Sequence, residues 1–259
     1  MRIAPRRSCT PYLRMPLQLY RAKVERIRTL THDVREIAFR LIDPKEIAFK
    51  AGQFVSFEVP HPKSHRPVAR PYSIVSPPSQ QNAVILLLNL VPGGPGSTYL
   101  FSLKEGDETQ FKGPAGSFYL KGDGARDLLL VATGTGIAPF RSMLDYVLAQ
   151  GFSRSARLYW GLRSQRDLYY RDELDALAER HPNFSFLVTL SRPESNWTGV
   201  TGRVTKLVEE RVSSVANLAV YLCGNSGMIR DVTALISKKG LCPIHKEKWY
   251  DDAGETEPF

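Results

Sequence analysis

The sequence predicts a two-domain protein, in which an antiparallel β-barrel precedes an α/β domain with a parallel sheet. Residues 17–121 form short, alternating or apolar runs with Gly and Pro between them, a pattern typical of antiparallel barrels. From residue 122 to 259 apolar strands alternate with helical stretches of 10–15 residues, which is typical of βαβ units. A chain of 259 residues is long enough for two domains of ordinary size.

The composition is that of a soluble globular protein. Hydrophobic residues make up 42% of the chain and charged residues 24%. We predict no contact with a membrane, since there is no apolar run of about 18 residues. The three cysteines, Cys9, Cys223 and Cys242, are too few for a disulfide framework or a cysteine-ligated iron–sulfur cluster. These features predict a cytoplasmic protein in a reducing compartment.

The net charge of +9 belongs to the body of the chain. Residues 1–14 carry four arginines and no acid, residues 251–259 carry four acids and no base, and the rest therefore keeps +9. A basic body favours an anionic partner, which could be a nucleic acid, a phosphorylated cofactor or an acidic protein. Residues 1–16 lack the apolar core of a signal peptide, and we expect them to form a disordered tail.

The barrel is predicted from six strands. In order they are "LYRAKVERIRTL", "VREIAFRL", "QFVSFEV", "ARPYSIVS", "AVILLLNLV" and "ETQFKG". Arg70 and Tyr72 of the fourth strand point to one face because side chains alternate along a strand. The arginine suits a phosphate and the tyrosine offers a flat surface to a flat ligand, while the Ser73 hydroxyl can hydrogen-bond to a heterocycle. The alternative is an ordinary barrel surface.

A helix, "GSTYLFSLKEG", interrupts the barrel strands. The segment "VPGGPGSTYL" brings Gly94 and Gly96 to its start, followed by Ser97 and Thr98. Because the first N–H groups of a helix have no partner within it, this terminus predicts an anion-binding turn.

The α/β domain is predicted from five strands and four helices. The strands are "DLLLVATG", "ARLYWGL", "FSFLVTLS", "LAVYLCG" and "IHKEKWY". The helices are "APFRSMLDYVLAQG", "YRDELDALAERH", "GRVTKLVEER" and "SGMIRDVTALISKKG". We interpret Trp160 in the second strand and the helix start "YYRDELDAL" as packing elements.

The first of these strands runs into a glycine turn, Thr133-Gly134-Thr135-Gly136, and a helix then begins near Ala138. Glycines let the backbone approach a pyrophosphate. The usual dinucleotide fingerprint has a third glycine, where this chain has Pro139, and an acid at the end of the second strand. A purely structural glycine turn is the alternative. Two phosphate turns and an aromatic platform predict two nucleotides.

Six motifs, in order, resemble those of the ferredoxin–NADP⁺ reductase family over residues 17–250. They are Arg70-Pro71-Tyr72-Ser73, Gly94-x-x-Ser97, "GPAGSFYL", "GTGIAPFRSML", "YLCGNSGMI" and "HKEKWY". The resemblance implies an FAD-binding barrel, residues 17–121, and an NADP-binding domain, residues 122–259. It implies hydride transfer from NADPH to flavin N5 and onward transfer to an acidic ferredoxin or flavodoxin.

The resemblance also assigns residues to FAD. Arg70 would meet the pyrophosphate, Tyr72 would stack on the isoalloxazine and Ser73 would lie near N5, with Pro71 in the same motif. Near the pyrophosphate it places four residues of the second turn: Gly94, Gly96, Ser97 and Thr98.

On the nicotinamide side, the resemblance implies contacts from Thr133, Gly134, Thr135 and Gly136. Cys223 would lie near the nicotinamide and Glu247 near the flavin edge. Tyr250 aligns with the aromatic residue that covers the flavin, with Trp249 as the near alternative. Nine residues follow it here, which departs from relatives that end soon after this aromatic.

Four residues predict a site for the 2′-phosphate of NADP: Arg163, Ser191, Arg192 and Arg203. Arginine and hydroxyl donors suit a phosphate, and Asp167 is the nearest acid after the second strand. The alternative is a set of ordinary solvated arginines. The five histidines show no metal spacing, and we predict no metal site.

We therefore predict a monomeric FAD-dependent reductase that uses NADPH. The near alternative is the NADH-dependent reductase component of an oxygenase system. An alternative of another class is a basic nucleic-acid-binding protein, which would be colourless and would bind in a salt-sensitive way.

Overall fold

The computed structural model describes residues 17–61, 64–122 and 125–248. The first sheet has six antiparallel strands, ordered β4-β3-β6-β1-β2-β5. A bridge between Ile74 and Leu86 joins its two edges. The sheet therefore closes into the predicted barrel. The strands are β1 (Gln18–Thr29), β2 (Val34–Asp43), β3 (Phe54–His61), β4 (Ser64–Ser73), β5 (Ala83–Asn89) and β6 (Glu108–Ala115), and α1 (Pro95–Ser102) follows β5.

The second sheet is parallel, as predicted, with the order β10-β9-β8-β7-β11-β12. Its strands are β7 (Asp127–Thr133), β8 (Ala156–Leu162), β9 (Phe184–Leu190), β10 (Val200–Thr201), β11 (Leu218–Gly224) and β12 (Ile244–Lys248). The helices are α2 (Ala138–Ala149), α3 (Arg171–Arg180), α4 (Val204–Arg211) and α5 (Ser226–Lys239). Because β7 is flanked by β8 on one side and β11 on the other, the order reverses there and a crevice opens at the strand ends.

The apolar run of β7 follows from its position between two layers. Leu128 and Leu130 pack in the core that includes α2, whereas Leu129 and Val131 pack in the core under α4 and α5. A strand covered on both faces needs apolar residues at every position.

One hydrophobic core continues from the barrel into the α/β domain. Val75, Leu87 and Phe118 of the first part belong to the same cluster as Phe140 and Met143 of α2. Within this interface the buried Ser142 hydroxyl donates to the Ser76 carbonyl oxygen at 2.8 Å. The barrel and the α/β domain are thus joined by buried packing.

A polar contact joins them at a second place. Glu36 on β2 is only 6% exposed. It accepts a hydrogen bond from the Tyr170 hydroxyl, and Arg28 lies 3.3 Å from it. Arg28 also lies 3.0 Å from Glu173 on α3, so the arginine bridges the two domains.

Two expectations stay predictions. The expected domain boundary between 121 and 122 adjoins residues 123 and 124, which lie outside the described residues, and the expected tail at 1–16 lies outside them as well. Across the described ranges, no helix combines the length and hydropathy needed to cross a membrane.

Candidate functional site: a cleft between the barrel and the parallel sheet

A cleft of about 1310 Å³ lies between the barrel and the carboxyl ends of the parallel strands. Its walls carry segments 70–72, 93–97 and 133–136. Sites for one drug-sized ligand measure about 300–1,000 Å³. This cleft is larger, and two nucleotides fit its size.

Arg70, Pro71 and Tyr72 form the barrel wall of the cleft. The Tyr72 ring packs edge-on against Phe57, with centroids 6.0 Å apart. Burial raises the pKa of the Tyr72 phenol well above its ordinary value, although Arg70 opposes the shift, so the phenol stays protonated at neutral pH. A Cβ at Gly96 would meet the Tyr72 hydroxyl and lie 2.8 Å from Arg70 Cγ. Only glycine therefore lets α1 approach this wall so closely.

The start of α1 has no side-chain cap. The Ser97 hydroxyl, instead, accepts from Val91 N at 3.0 Å and lies 3.2 Å from the Gly94 carbonyl. It holds the turn in shape, so the anion-binding capacity lies in the first main-chain N–H groups of the helix. Thr98 does not line the cleft but a separate cavity of about 370 Å³ beside Pro60 and Tyr99.

The turn after β7 contributes residues 133–136 to the opposite wall. Gly134 has φ +52°, a left-handed conformation that glycine adopts without strain. A Cβ at Gly136 would lie 2.8 Å from the Cys223 carbonyl carbon, so the turn packs directly on the end of β11. Thr135 Oγ1 donates to Asn89 Oδ1 at 3.3 Å, which connects this turn to the barrel.

Three of the four residues predicted for a 2′-phosphate line one end of the cleft: Arg163, Ser191 and Arg203. Arg192 does not line it, although its N–H donates to the Arg163 carbonyl at 2.7 Å. Asp167 lines the same end, and its Oδ2 accepts from Ser164 N at 2.8 Å. The two arginines at this end of the cleft therefore share it with the carboxylate of Asp167.

Ser73, Cys223 and Glu247 meet where the two domains join. Ser73 Oγ donates to Glu247 Oε2 at 3.4 Å, and Cys223 Sγ lies 4.0 Å from the same oxygen. Cys223 and Glu247 are register partners in β11 and β12, which explains their proximity. Burial raises the pKa of Glu247 to about 7, against the opposing hydrogen bond from Ser73. Its carboxyl group can therefore hold or release a proton near neutral pH.

Trp249 and Tyr250, the predicted cover of the flavin, lie outside the described residues, as does the segment after them.

Sequence reasoning missed several residues of the cleft wall, including Asn89, Tyr169 and Asn225. Asn225 directly follows β11 and caps α5, accepting from Gly227 N at 2.8 Å. The rule that crevices form at carboxyl strand ends would have indicated it. Asn89 and Tyr169 carry no comparable signal, because they reach the cleft through the packing of one domain on the other.

His32, Asp33 and Asp167 place their ligand-type atoms within 4.8 Å of one another at the cleft. Asp33 already accepts from Thr31 Oγ1 at 2.9 Å, and Asp167 accepts from Ser164. We interpret the group as part of the polar wall. The predicted lack of a metal site remains a prediction.

Two family models match the chain. The model of the oxidoreductase FAD-binding domain matches residues 21–119, and that of the oxidoreductase NAD-binding domain matches residues 130–234.

Curated relatives cover most of the chain. Ferredoxin–NADP reductase B of Sorangium cellulosum (strain So ce56) is 36% identical over 239 residues, which are 89% of this chain and 97% of the relative. The electron transfer component of toluate 1,2-dioxygenase from Pseudomonas putida is 34% identical over 227 residues, 87% of this chain. The chain spans 66% of the length of that relative.

Solved structures share the fold. A cytochrome P450 reductase of Amycolatopsis, GcoB, is similar with a TM-score of 0.81 and 29% identity, over 90% of this chain and 70% of its own. A ferredoxin NADP⁺ reductase from Neisseria gonorrhoeae has a TM-score of 0.76 and 22% identity, over 89% of this chain and 98% of its own.

Proposed function

We propose that this chain, which belongs to the ferredoxin–NADP⁺ reductase family of FAD- and NAD(P)-binding oxidoreductases, passes electrons from NADPH through FAD to an acidic ferredoxin or flavodoxin. Membership of an oxidoreductase family removes the grounds for the nucleic-acid-binding alternative. The observation that carries the proposal is the junction of Ser73, Cys223 and Glu247, where both domains meet beside the cleft.

The barrel wall fits FAD by its chemistry. Arg70 supplies a charged fork for a pyrophosphate, Tyr72 supplies a ring, and α1 supplies main-chain N–H groups. Gly96 keeps this wall free of a side chain that would push α1 away. When bound, FAD supplies the chemistry that accepts a hydride and returns electrons singly.

The residues of the chain bind, orient and exchange a proton. The turn of residues 133–136 would receive the pyrophosphate of the nicotinamide nucleotide. Cys223 is fully buried and places an apolar side chain beside Glu247. Glu247 Oε2, with its pKa of about 7, can take up or release a proton near neutral pH. The Ser73 hydroxyl that donates to it can relay that proton, provided that Oγ receives one proton as it gives its own to the carboxylate. Burial is what makes this exchange possible at neutral pH.

The choice of NADPH rests on Arg163, Ser191 and Arg203 at one end of the cleft. A 2′-phosphate carries close to two negative charges and pairs well with arginine. One observation favours the second candidate, the NADH-dependent reductase component of an oxygenase system. The Asp167 carboxylate lines the same end, where it would repel a phosphate and accept from a ribose hydroxyl.

Steady-state kinetics with both nucleotides tests the choice. We expect the wild-type protein to prefer NADPH. Arg203→Ala should raise KM for NADPH about tenfold, which corresponds to a loss of about 1.4 kcal/mol in binding free energy. KM for NADH should stay within twofold of the wild-type value. Arg211→Ala, in the last turn of α4 and outside the cleft, is the matched control. A wild-type preference for NADH, or equal losses with both nucleotides, would support the second candidate instead.

The partner is proposed from the charge of the chain. A monomer whose body carries +9 attracts an acidic protein. We expect reduction of a purified acidic [2Fe–2S] ferredoxin to slow steeply between 50 and 300 mM NaCl, whereas reduction of ferricyanide at saturating concentration changes little. Ferredoxin reduction that does not depend on salt would contradict an electrostatic partner site.

A further inference from the structure

The indole of Trp160 reaches the glycine turn that follows β7. Trp160 is fully buried on β8, and its Nε1 donates to the Gly134 carbonyl oxygen at 2.9 Å. Gly134 has the left-handed φ of +52° and lines the cleft. A core residue of one strand is thus bonded to the main chain of a turn in the neighbouring crevice.

This hydrogen bond fixes the orientation of the whole peptide unit between Gly134 and Thr135, including the Thr135 N–H. The peptide unit between Gly134 and Thr135 is planar and trans, so its N–H points away from its C=O. With the C=O held on the indole, the Thr135 N–H is turned to the side opposite Trp160. Without the indole, the Gly134 carbonyl would lose this restraint, and glycine allows more backbone conformations than other residues. One buried donor therefore sets the direction of one main-chain donor in the turn.

Tyr169 packs against the indole, and Tyr170 packs against Tyr169. The Tyr169 ring meets the Trp160 ring edge-on, with centroids 4.8 Å apart and planes at 77°. Its own hydroxyl makes no hydrogen bond within the described part of the chain, so Tyr169 acts here through its ring. Tyr169 also contacts Tyr170, with centroids 5.2 Å apart.

Tyr170 connects this aromatic group to the barrel. It adopts φ +56°, which is uncommon for a residue with a side chain. Its hydroxyl donates to the buried Glu36, and the Arg141 guanidinium lies 4.9 Å from its ring centre. The barrel, the tyrosine pair, the indole and the glycine turn therefore form a continuous series of contacts.

We propose that Trp160 is a positioning residue for the pyrophosphate of the nicotinamide nucleotide, acting through the Gly134 carbonyl and held in place from the barrel by Tyr169, Tyr170 and Glu36. The proposal rests on the proposed function, since it assigns the glycine turn to that nucleotide. Trp160 itself does not line the cleft.

Trp160→Phe tests the proposal because it keeps an aromatic ring and removes only the N–H donor. The probe is ADP-ribose, which contains the pyrophosphate common to NADPH and NADH, titrated calorimetrically into the FAD-loaded protein. Ser142→Ala is the matched control. It also removes a buried side-chain donor to a backbone carbonyl, at 2.8 Å, but does not contact the turn.

We expect Trp160→Phe to weaken ADP-ribose binding about tenfold and to leave the FAD dissociation rate within twofold. Ser142→Ala should change neither by more than twofold, although both variants lose stability. Equal ADP-ribose affinity in Trp160→Phe and wild type, or a parallel loss of FAD, would overturn the proposal. A wild-type protein that binds neither ADP-ribose nor 2′-phospho-ADP-ribose would contradict the proposed function itself.

A double-mutant cycle tests the connection to the barrel. Tyr170→Phe should weaken ADP-ribose binding by about threefold in the wild-type background and have no effect in the Trp160→Phe background, because the affected donor is then absent. If Trp160→Phe fails to fold, the single Tyr170→Phe variant still tests the connection by its ADP-ribose affinity. An additive double variant, or an unchanged affinity in Tyr170→Phe, would separate the tyrosine pair from the turn and overturn that part of the proposal.

Discussion

At the scale of single residues, Glu247 shows how folding can change the chemistry of one carboxyl group. Its pKa is raised to about 7 because β12 carries it into the junction with Ser73 and Cys223, where burial removes part of its contact with water. In the unfolded chain a glutamate has a pKa of about 4.3. Between these two values the folded protein binds one more proton than the unfolded chain does.

This difference predicts a pH dependence of stability. Since the folded state holds the extra proton, the free energy of unfolding should fall as pH rises from about 4.5 to about 7 and stay constant above. Over this window Glu247 should lower the free energy of unfolding by about 3.5 kcal/mol. Glu247→Gln should abolish the loss, as measured by urea unfolding of the FAD-loaded protein at several pH values. Glu179→Gln, on the exposed side of α3, is the control, and parallel profiles for wild type and Glu247→Gln would contradict the shift.

The sequence indicated many of the residues of the site, but it did not indicate which of them contact one another. Arg70 and Tyr72 were predicted as a pair because alternation along a strand puts them on one face, and both line the cleft. Trp160 was interpreted as packing, and it is buried, but a sequence gives no sign of where an indole N–H points. The burial of Glu36 also escaped prediction, because its partner Tyr170 lies 134 residues away.

At the scale of elements, Gly134 in the turn after β7 can be compared with Gly151, a glycine of similar backbone conformation that lies outside the cleft. Gly134 and Gly151 both have positive φ, +52° and +77°, and a Cβ would meet nothing within 4 Å at either position. Only Gly134 lies in the cleft. Substituting each glycine by alanine therefore distinguishes two effects of an added methyl group. One is the loss of stability from the left-handed backbone, and the other is the loss of ligand affinity.

We expect Gly134→Ala and Gly151→Ala each to destabilise the protein by about 1–2 kcal/mol, the cost of a left-handed conformation for a residue with a Cβ. Gly134→Ala should in addition weaken NADP⁺ binding at least tenfold, since the methyl group enters the space next to the turn. Thermal unfolding and NADP⁺ titration of the flavin spectrum measure the two effects. If Gly151→Ala weakens NADP⁺ equally, the turn is not the binding element.

Elements with a clear pattern of apolar residues were predicted from the sequence. Elements that depend on contacts between residues distant in the chain were not. The buried strands β7, β8, β9 and β11 appear as continuous apolar runs because both faces are covered. The sequence analysis missed β10, because a strand of two residues, Val200 and Thr201, is too short to show alternation. It is recognised only by its pairing with β9. The left-handed Tyr170 before α3 was missed as well, because no local rule places a tyrosine there.

At the scale of the whole molecule, the shared core predicts that both domains unfold together. Phe140 is fully buried, and its ring centre lies 5.9 Å from that of Phe118 in the barrel half. Phe140→Ala should destabilise by about 3–5 kcal/mol, the usual cost of a large cavity. Circular dichroism and flavin fluorescence should report one coincident transition that shifts as a unit. Two separated transitions in the variant, one for each domain, would show that the interface does not couple them.

The junction of Ser73 and Glu247 can form only late in the synthesis of the chain. These residues lie 174 positions apart in the chain, with Glu247 on the last described strand. At a synthesis rate of about 5–20 residues per second, the ribosome needs roughly 10–35 s to deliver the second partner after the first. During this interval Ser73 has been synthesised but has no Glu247 carboxyl group to donate to. The junction is therefore completed only when β12 joins the sheet, and a nascent chain that ends before β12 lacks it.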